Sequence, residues 1–277
     1  MALTILTNLA ALNTKRHLEE SSETYAQSAE RIATGKRINK SSDDAAGLSI
    51  ATSIEGQVRS IQQARRNSQD ALSLMQVAEG GMNEMSNLLI RLRELSIQAS
   101  SDTVGDSERK IINFETVQIK QEMDRLSEST HYFDTPLLNG KGKNFVFQIG
   151  PDNNENNRLE YDASKLDLST SNLGISNLDL TDIDSARDSL ELIDNAVRTL
   201  AEPRAQLGAL QSRLHSISSS LSIYEENMSA AKSRIIDADI ATETANAVKS
   251  QVLQKAGVAI LAQANMQPSL ALKLIGD

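Results

Sequence analysis

Three histidines, His17, His131 and His215, are the side chains of this 277-residue chain best suited to proton transfer or metal binding near neutral pH. They stand far apart, and none belongs to a His-Glu-x-x-His pair, which would place two imidazoles on one helix face. There is no cysteine, so disulfide and thiol chemistry are excluded. The run Asp152-Asn-Asn-Glu-Asn-Asn157 offers oxygen ligands but lacks the spacing and terminal glutamate of a calcium loop. It reads as a turn. Gly140-Lys-Gly-Lys143 lacks the spacing and hydroxyl residue of a phosphate-cradling loop and reads as the start of a hairpin. No catalytic residue, metal ligand or cofactor site emerges, and no enzyme activity is expected. The chemistry written here is that of association.

The elements that must present it are long helices. One row of seven-residue spacing runs Ile61, Ser68, Met75, Met82, Leu89, Ser96, with a companion row Ala64, Ala71, Ala78, Met85, Leu92, Ala99. A second runs Ile193, Leu200, Leu207, Leu214, Leu221, Met228, Ile235, beside Ala196, Pro203, Leu210, Ile217, Tyr224, Ala231, Ala238. Rows spaced three and four apart form one seam on a helix, and a strict seven-residue period winds that seam around a partner. At about 1.5 Å per residue each array makes a rod roughly 55–70 Å long. The expected rod core includes Met75, Met82, Leu89, Leu92, Leu207, Leu214 and Leu221. Aromatics at 3 % and no tryptophan agree, since such a seam is closed by Leu, Ile, Met and Ala alone.

A net charge of -9 argues against a general nucleic-acid binder, which needs a basic face. Residues 126–190 hold eleven acidic side chains against five basic ones, a solvated surface. The N-terminus lacks the leading positive charge of a secretory signal, because Lys15 and Arg16 follow its apolar stretch. Export would therefore use a route without a conventional leader. The apolar stretch 256–264 is too short to span a bilayer.

Along the chain, a first helix is predicted from Leu3 to about Ala33, with apolar residues Ile5, Leu9 and Leu12 and a stop at Thr34-Gly35. Ser42, Asp43 and Asp44 offer caps for the next helix, which carries the first array to about 100–102. A third helix covers 107–129 with Ile112, Thr116, Ile119, Met123 and Leu126 on one face. Alternation at Phe145, Phe147, Ile149 and then Leu159, Tyr161 predicts two strands around the turn at 150–157. Residues 169–180 read as a polar connector. Pro203 should kink the second long helix or mark where two helices abut. The last segment, 237–277, has a stripe of Ala245, Val248, Val252, Ala256, Ala259, Gln263 and Met266 and a second apolar face of Leu253, Ile260 and Leu261. A lone chain cannot bury such a helix. Other chains must enclose it, or it stays unfolded until they do.

Five stretches carry a resemblance: Ser233-Arg-Ile-Ile-Asp-Ala-Asp-Ile-Ala-Thr-Glu243, Gln254-Lys-Ala-Gly-Val-Ala-Ile-Leu-Ala-Gln-Ala-Asn-Met-Gln-Pro268, Arg31-Ile-Ala-Thr-Gly-Lys-Arg-Ile-Asn-Lys-Ser-Ser-Asp-Asp-Ala-Ala-Gly-Leu48, Arg93-Glu-Leu-Ser-Ile-Gln98 and Phe133-Asp-Thr-Pro-Leu-Leu-Asn-Gly140. Together they resemble bacterial flagellin, in the family's order. Leu6, where the family usually has Asn, and the Ile-Gly-Asp ending depart from its pattern. The resemblance implies a mainly α fold: a long antiparallel coiled-coil rod with a small β-hairpin region, and terminal helices that pair in the filament. It implies an inner domain of 1–42 with 237–277, a rod of 43–236 with the hairpin at about 140–168, and no outer variable domain.

The resemblance also implies a structural subunit that self-polymerises into the flagellar filament for swimming motility. Ile5, Leu9, Leu12, Val252, Leu253, Ile260, Leu261 and Met266 would form the filament core. Leu88, Arg91, Leu92, Leu95 and Ile97 spread beyond the first seam, and packing against a helix carrying Phe114, Glu115 and Ile119 would explain part of this. Arg91, Leu95 and Glu115 match positions where flagellins contact neighbouring subunits and an animal Toll-like receptor. Implied partners are further copies of the chain, the flagellar cap and hook–filament junction proteins, a cytoplasmic chaperone for the C-terminal segment, and the flagellar type III export apparatus. Nucleic acid and membrane insertion are not expected. The subunit would be extracellular, after a transient cytoplasmic stage. A hook–filament junction protein shares this architecture, and a coiled-coil adaptor would share the heptads but not the nearly uncharged last helix.

Overall fold

The computed structural model describes residues 7–275, with side chains through Met266. Ile5 lies outside the described residues. Five α-helices stand among them: α1 (Leu9–Thr34), α2 (Ala45–Ala99), α3 (Asp106–Ser129), α4 (Ile183–Ile236) and α5 (Ile240–Ile275). Between α3 and α4 lie two antiparallel hairpins, β1 (His131–Tyr132) with β2 (Thr135–Pro136) and β3 (Asn144–Gln148) with β4 (Arg158–Asp162). The chain divides into two compact units, Met1–Gln57 with Asn227–Asp277, and Val58–Glu226.

Local chemistry sets the helix ends. Among the described residues the first helix starts at Leu9, where the Asn8 side chain accepts from the Ala11 amide at 3.0 Å and caps it; the expected start at Leu3 lies outside them. Gly35, at φ 69°, closes α1 by donating its amide to the Arg31 carbonyl. Asp44 caps α2 through the Gly47 amide at 2.8 Å, while Asp43 accepts from the amides of Asn39 and Lys40. Those amides hold the Asp43 carboxyl below its ordinary value.

In the larger unit every member of the first array and its companion row is buried. On α4, Ile193, Leu200, Leu207, Leu214 and Leu221 are buried as well, whereas the companion residues Leu210 and Ile217 are half-covered and Tyr224 is exposed. All seven expected rod-core residues lie inside. The two long helices run antiparallel. Arg93 reaches Asp194 at 2.9 Å, Gln211 donates to Glu79 at 2.8 Å, and Arg65 meets Glu225 at 3.2 Å. Buried Arg109 pins the start of α3 by donating to the Ala99 and Ser101 carbonyls at 3.1 Å. Helix α4 passes through Pro203 without interruption, so two abutting helices are not formed.

Two sequence expectations change here. Residues 169–180 are not merely a polar connector, since Leu173, Ile175, Leu178 and Leu180 are buried against the bundle. Leu and Ile separated by Ser, Asn and Asp carry no regular period, so their burial leaves no pattern to read. The second difference is the β1–β2 hairpin, too short to show alternation. The larger hairpin pairs as expected, with Phe145 opposite Tyr161 and Phe147 opposite Leu159.

Candidate assembly surfaces

In the smaller unit α1 and α5 pair antiparallel. Asn8 donates to the Ala264 carbonyl at 2.8 Å near one end, Gln254 to the Ser21 carbonyl at 3.2 Å in the middle, and Ser28 to Glu243 at 2.9 Å near the other. The covered face of α5 is Glu243, Ala247, Ser250, Gln254, Gly257, Leu261 and Ala264, a three-four alternation of mostly small and polar residues. On α1 it is answered by Ala11, Thr14, Leu18, Ser21 and Ser28. A Cβ added at Gly257 would lie 3.4 Å from Leu18 Cδ1, in van der Waals contact with it, so Gly257 faces Leu18 across the seam. The most buried polar cluster is Glu243, which accepts from Ser28 and from Arg31 Nη1, both at 2.9 Å.

Large apolar side chains lie outside this seam, with Leu253 and Ile260 on the rim of a groove between the two helices. Leu9, Leu12, Val248, Val252, Leu253, Val258, Ile260 and Met266 are all exposed, each by about half or more. Of the expected core residues among the described ones, only Leu261 departs from this group, because it lies half-buried in the seam against α1. Both helices are thus already formed and paired in the single chain, through a face the hydrophobic stripes did not mark. The signal was present as strict seven-residue rows, Glu243, Ser250, Gly257, Ala264 and Thr14, Ser21, Ser28. These rows hold small or polar residues, and a search for large apolar residues passes over them.

The joint between these helices and their neighbours is also tied. Lys36 and Asp237 form a β-bridge, the Arg37 amide donates to the Ile236 carbonyl at 2.6 Å, and the Ala238 amide to the Gly35 carbonyl at 3.0 Å. Asp239 caps α5, accepting from the Thr242 hydroxyl and from the Thr242 and Ala241 amides. Those bonds, the Thr242 hydroxyl first, hold its carboxyl below the ordinary value.

On the larger unit Arg91 and Glu115 join α2 to α3 in an exposed pair, with guanidinium nitrogens 2.7 and 2.9 Å from one carboxylate oxygen. Hydrogen bonds to Glu115 and then Glu94 raise the Arg91 pKa above its ordinary value. Leu95 does not accompany them at the surface. It is 1 % exposed and belongs to the bundle core, because it follows the companion row at Leu92 by one helical step of three. The apolar surface near the pair comes instead from Ile111 and Phe114, 72 % and 68 % exposed on α3.

The three histidines lie on three separate elements. His17 lies on α1 beside Glu20, His131 on β1 and His215 on α4. Within the 150–157 loop the Asp152 carbonyl accepts from the Gln148 and Asn157 side chains, and Asn153 Oδ1 accepts from Arg158. Among the described residues no helix is long and apolar enough to cross a membrane.

The family model for the bacterial flagellin N-terminal helical region matches residues 5–143, and that for the C-terminal helical region matches 190–275. This chain belongs to the bacterial flagellin family. It is 36 % identical to a flagellin of Halalkalibacterium halodurans over 97 % of its own length and 98 % of that protein's. The crystal structure of Bacillus cereus flagellin superposes with a TM-score of 0.51 at 26 % identity, covering 60 % of this chain and 94 % of that one. A hook-associated protein structure from Vibrio parahaemolyticus reaches a TM-score of 0.58 at 13 % identity over 70 % of this chain and all of that one, a likeness of fold alone. Flagellins are structural proteins, and this flagellin is a structural subunit of the flagellar filament.

Proposed function

We propose that the α1–α5 pair forms the filament's inner layer with its apolar residues turned towards neighbouring subunits. One observation carries this: the seam inside the pair is small and polar, while eight large apolar side chains of the same two helices are exposed. Covering each remaining half should contribute about 1 kcal/mol. Their sum is comparable with the 4–15 kcal/mol cost of association, so a single neighbour is insufficient and several are needed. A helical lattice supplies several. In this reading 1–42 and 237–277 make the inner domain, 43–236 makes the rod and no outer variable domain is present.

The same exposed row accounts for two handling steps before assembly. A cytoplasmic chaperone covering α5 would keep Val252, Leu253 and Ile260 from aggregating, and the flagellar type III apparatus would carry the chain out. The Arg91–Glu115 face, with Ile111 and Phe114 beside it and Leu95 supporting it from beneath, serves both subunit packing and recognition of the free subunit by the animal Toll-like receptor. Electron microscopy of concentrated purified protein tests the central reading. Full-length chain should grow long helical filaments alone, whereas chain cut back to residue 249 should not and should lose chaperone binding. Filaments of the truncated chain would overturn it.

A further inference from the structure

The most exposed aromatic ring of the described residues lies outside both assembly surfaces. Phe133 sits at the tip of the β1–β2 hairpin, 87 % exposed and at φ 52°. The first position of a two-residue loop with positive φ normally holds glycine, and a bulky residue there is an outlier. Its ring contact is with its neighbour Tyr132, edge-on at 4.8 Å. The fold thus holds an aromatic ring out in water on a strained backbone. Beside it, the exposed Asp134 forms no ion pair among the described residues.

The same unit carries a matching recess. A groove of about 570 Å³ lies between the β3–β4 loop and α4. Pro151, Ile217, Leu221 and Tyr224 give it apolar walls, Asp152 stands at the loop side, and Arg213 supplies its cation. Arg213 is exposed and makes no ion pair among the described residues. Hairpin tip and groove lie at one level of the bundle. Tyr132 Oη is 3.5 Å from the Asp70 carbonyl, and Asn67, one turn away on α2, donates to the Gln148 carbonyl at 2.9 Å.

We propose that Phe133 and Asp134 of one subunit enter this groove on a second copy, the ring against Pro151, Ile217 and Tyr224 and the carboxylate on Arg213. The charges are complementary, and neither has an ion-pair partner among the described residues. Aromatic rings and arginine are also the side chains that dominate binding at interfaces. Knob and recess are different patches, so a contact made head to tail rather than reciprocally leaves the interface open. Each bound copy keeps one of them free for the next, as a growing polymer requires. This contact rests on the assembly reading above.

Seeded growth of the purified full-length protein tests it. Phe133→Ala, Asp134→Arg and Arg213→Asp should each raise the critical concentration about tenfold, a change of about 1.4 kcal/mol. Monomer thermal midpoints should not move, since all three side chains are exposed. The double variant Asp134→Arg with Arg213→Asp restores the charge match between copies and should recover most of the loss. If wild-type protein grows and Phe133→Ala grows equally well, or if the double variant is no better than the single ones, the contact is wrong. Wild-type monomer that does not add to seeds overturns the assembly reading and this contact with it.

Discussion

Arg31 and Glu243 meet 2.9 Å apart across the α1–α5 seam although 212 residues separate them in the chain. Ser28 occupies the other carboxylate oxygen, so this acid binds two partners on one helix from the opposite one. Small and polar neighbours give the seam little apolar preference among registers, and the carboxylate supplies that preference. Glu243→Ala should weaken the pairing by roughly 3 kcal/mol, because Arg31 is left partly buried without its partner. The critical concentration for filament growth should then rise by about a hundredfold, with Glu243→Gln intermediate.

Exchange of backbone amides should depend on assembly. In dilute monomer α5 is held only through its small, polar seam, so the amides of 252–264 should exchange faster than those of the Leu207–Leu221 row. In filaments they should be strongly protected. Strong protection already in the monomer would contradict the inner-layer reading.

Leu214 sits in the middle of the α4 row, 1 % exposed. Replacing it with alanine should destabilise the larger unit by about 2–5 kcal/mol. A monomer melt that barely moves would show the row is not the buried one.

Acid should act through the caps. Asp43 and Asp239 have carboxyls held below the ordinary value of 3.8. A depressed folded value means their stabilisation is present above that value and lost as pH falls through the lower folded one. Wild-type and Asp239→Asn chains should therefore differ in stability at neutral pH and converge in strong acid. An Asn variant whose deficit persists unchanged at the lowest pH would remove the carboxylate from the account.

The Arg91–Glu115 face gives a further test. Ile111→Asp and Phe114→Asp should each weaken filament growth and receptor signalling together, with little effect on the monomer melt. Leu95→Asp should instead unfold the bundle, because it buries a charge in the core. Either surface variant that polymerised normally but failed to signal would separate the two roles.

Much of this was legible in the residues. The seven-residue rows of Met75, Met82, Leu89 and Leu207, Leu214, Leu221 predict the buried faces directly, since large apolar side chains at one period have only one way to be covered. The β3 and β4 strands follow from alternation in the same way, while their register is read only from the structure. Leu95 shows the limit: its neighbours at Arg91 and Glu94 suggest a surface, and only the helix packing reveals that its own direction is inward. The α1–α5 seam was hidden for the opposite reason. Hydrophobicity there identifies what the single chain leaves exposed, so the intramolecular contact falls to Ser28, Ser250 and Gly257, which no apolar pattern marks.

That reversal ties solubility to polymer strength. The side chains that would cement neighbouring copies are the ones each newly made copy carries uncovered, from Leu9 to Met266. Any substitution that makes this row greasier tightens the fibre and, to the same degree, shortens the time a stray copy survives without precipitating. Selection on these positions therefore works under a ceiling set by the traffic of free chains. A search for sturdier variants would meet it as falling yield well before the mature fibre stopped improving.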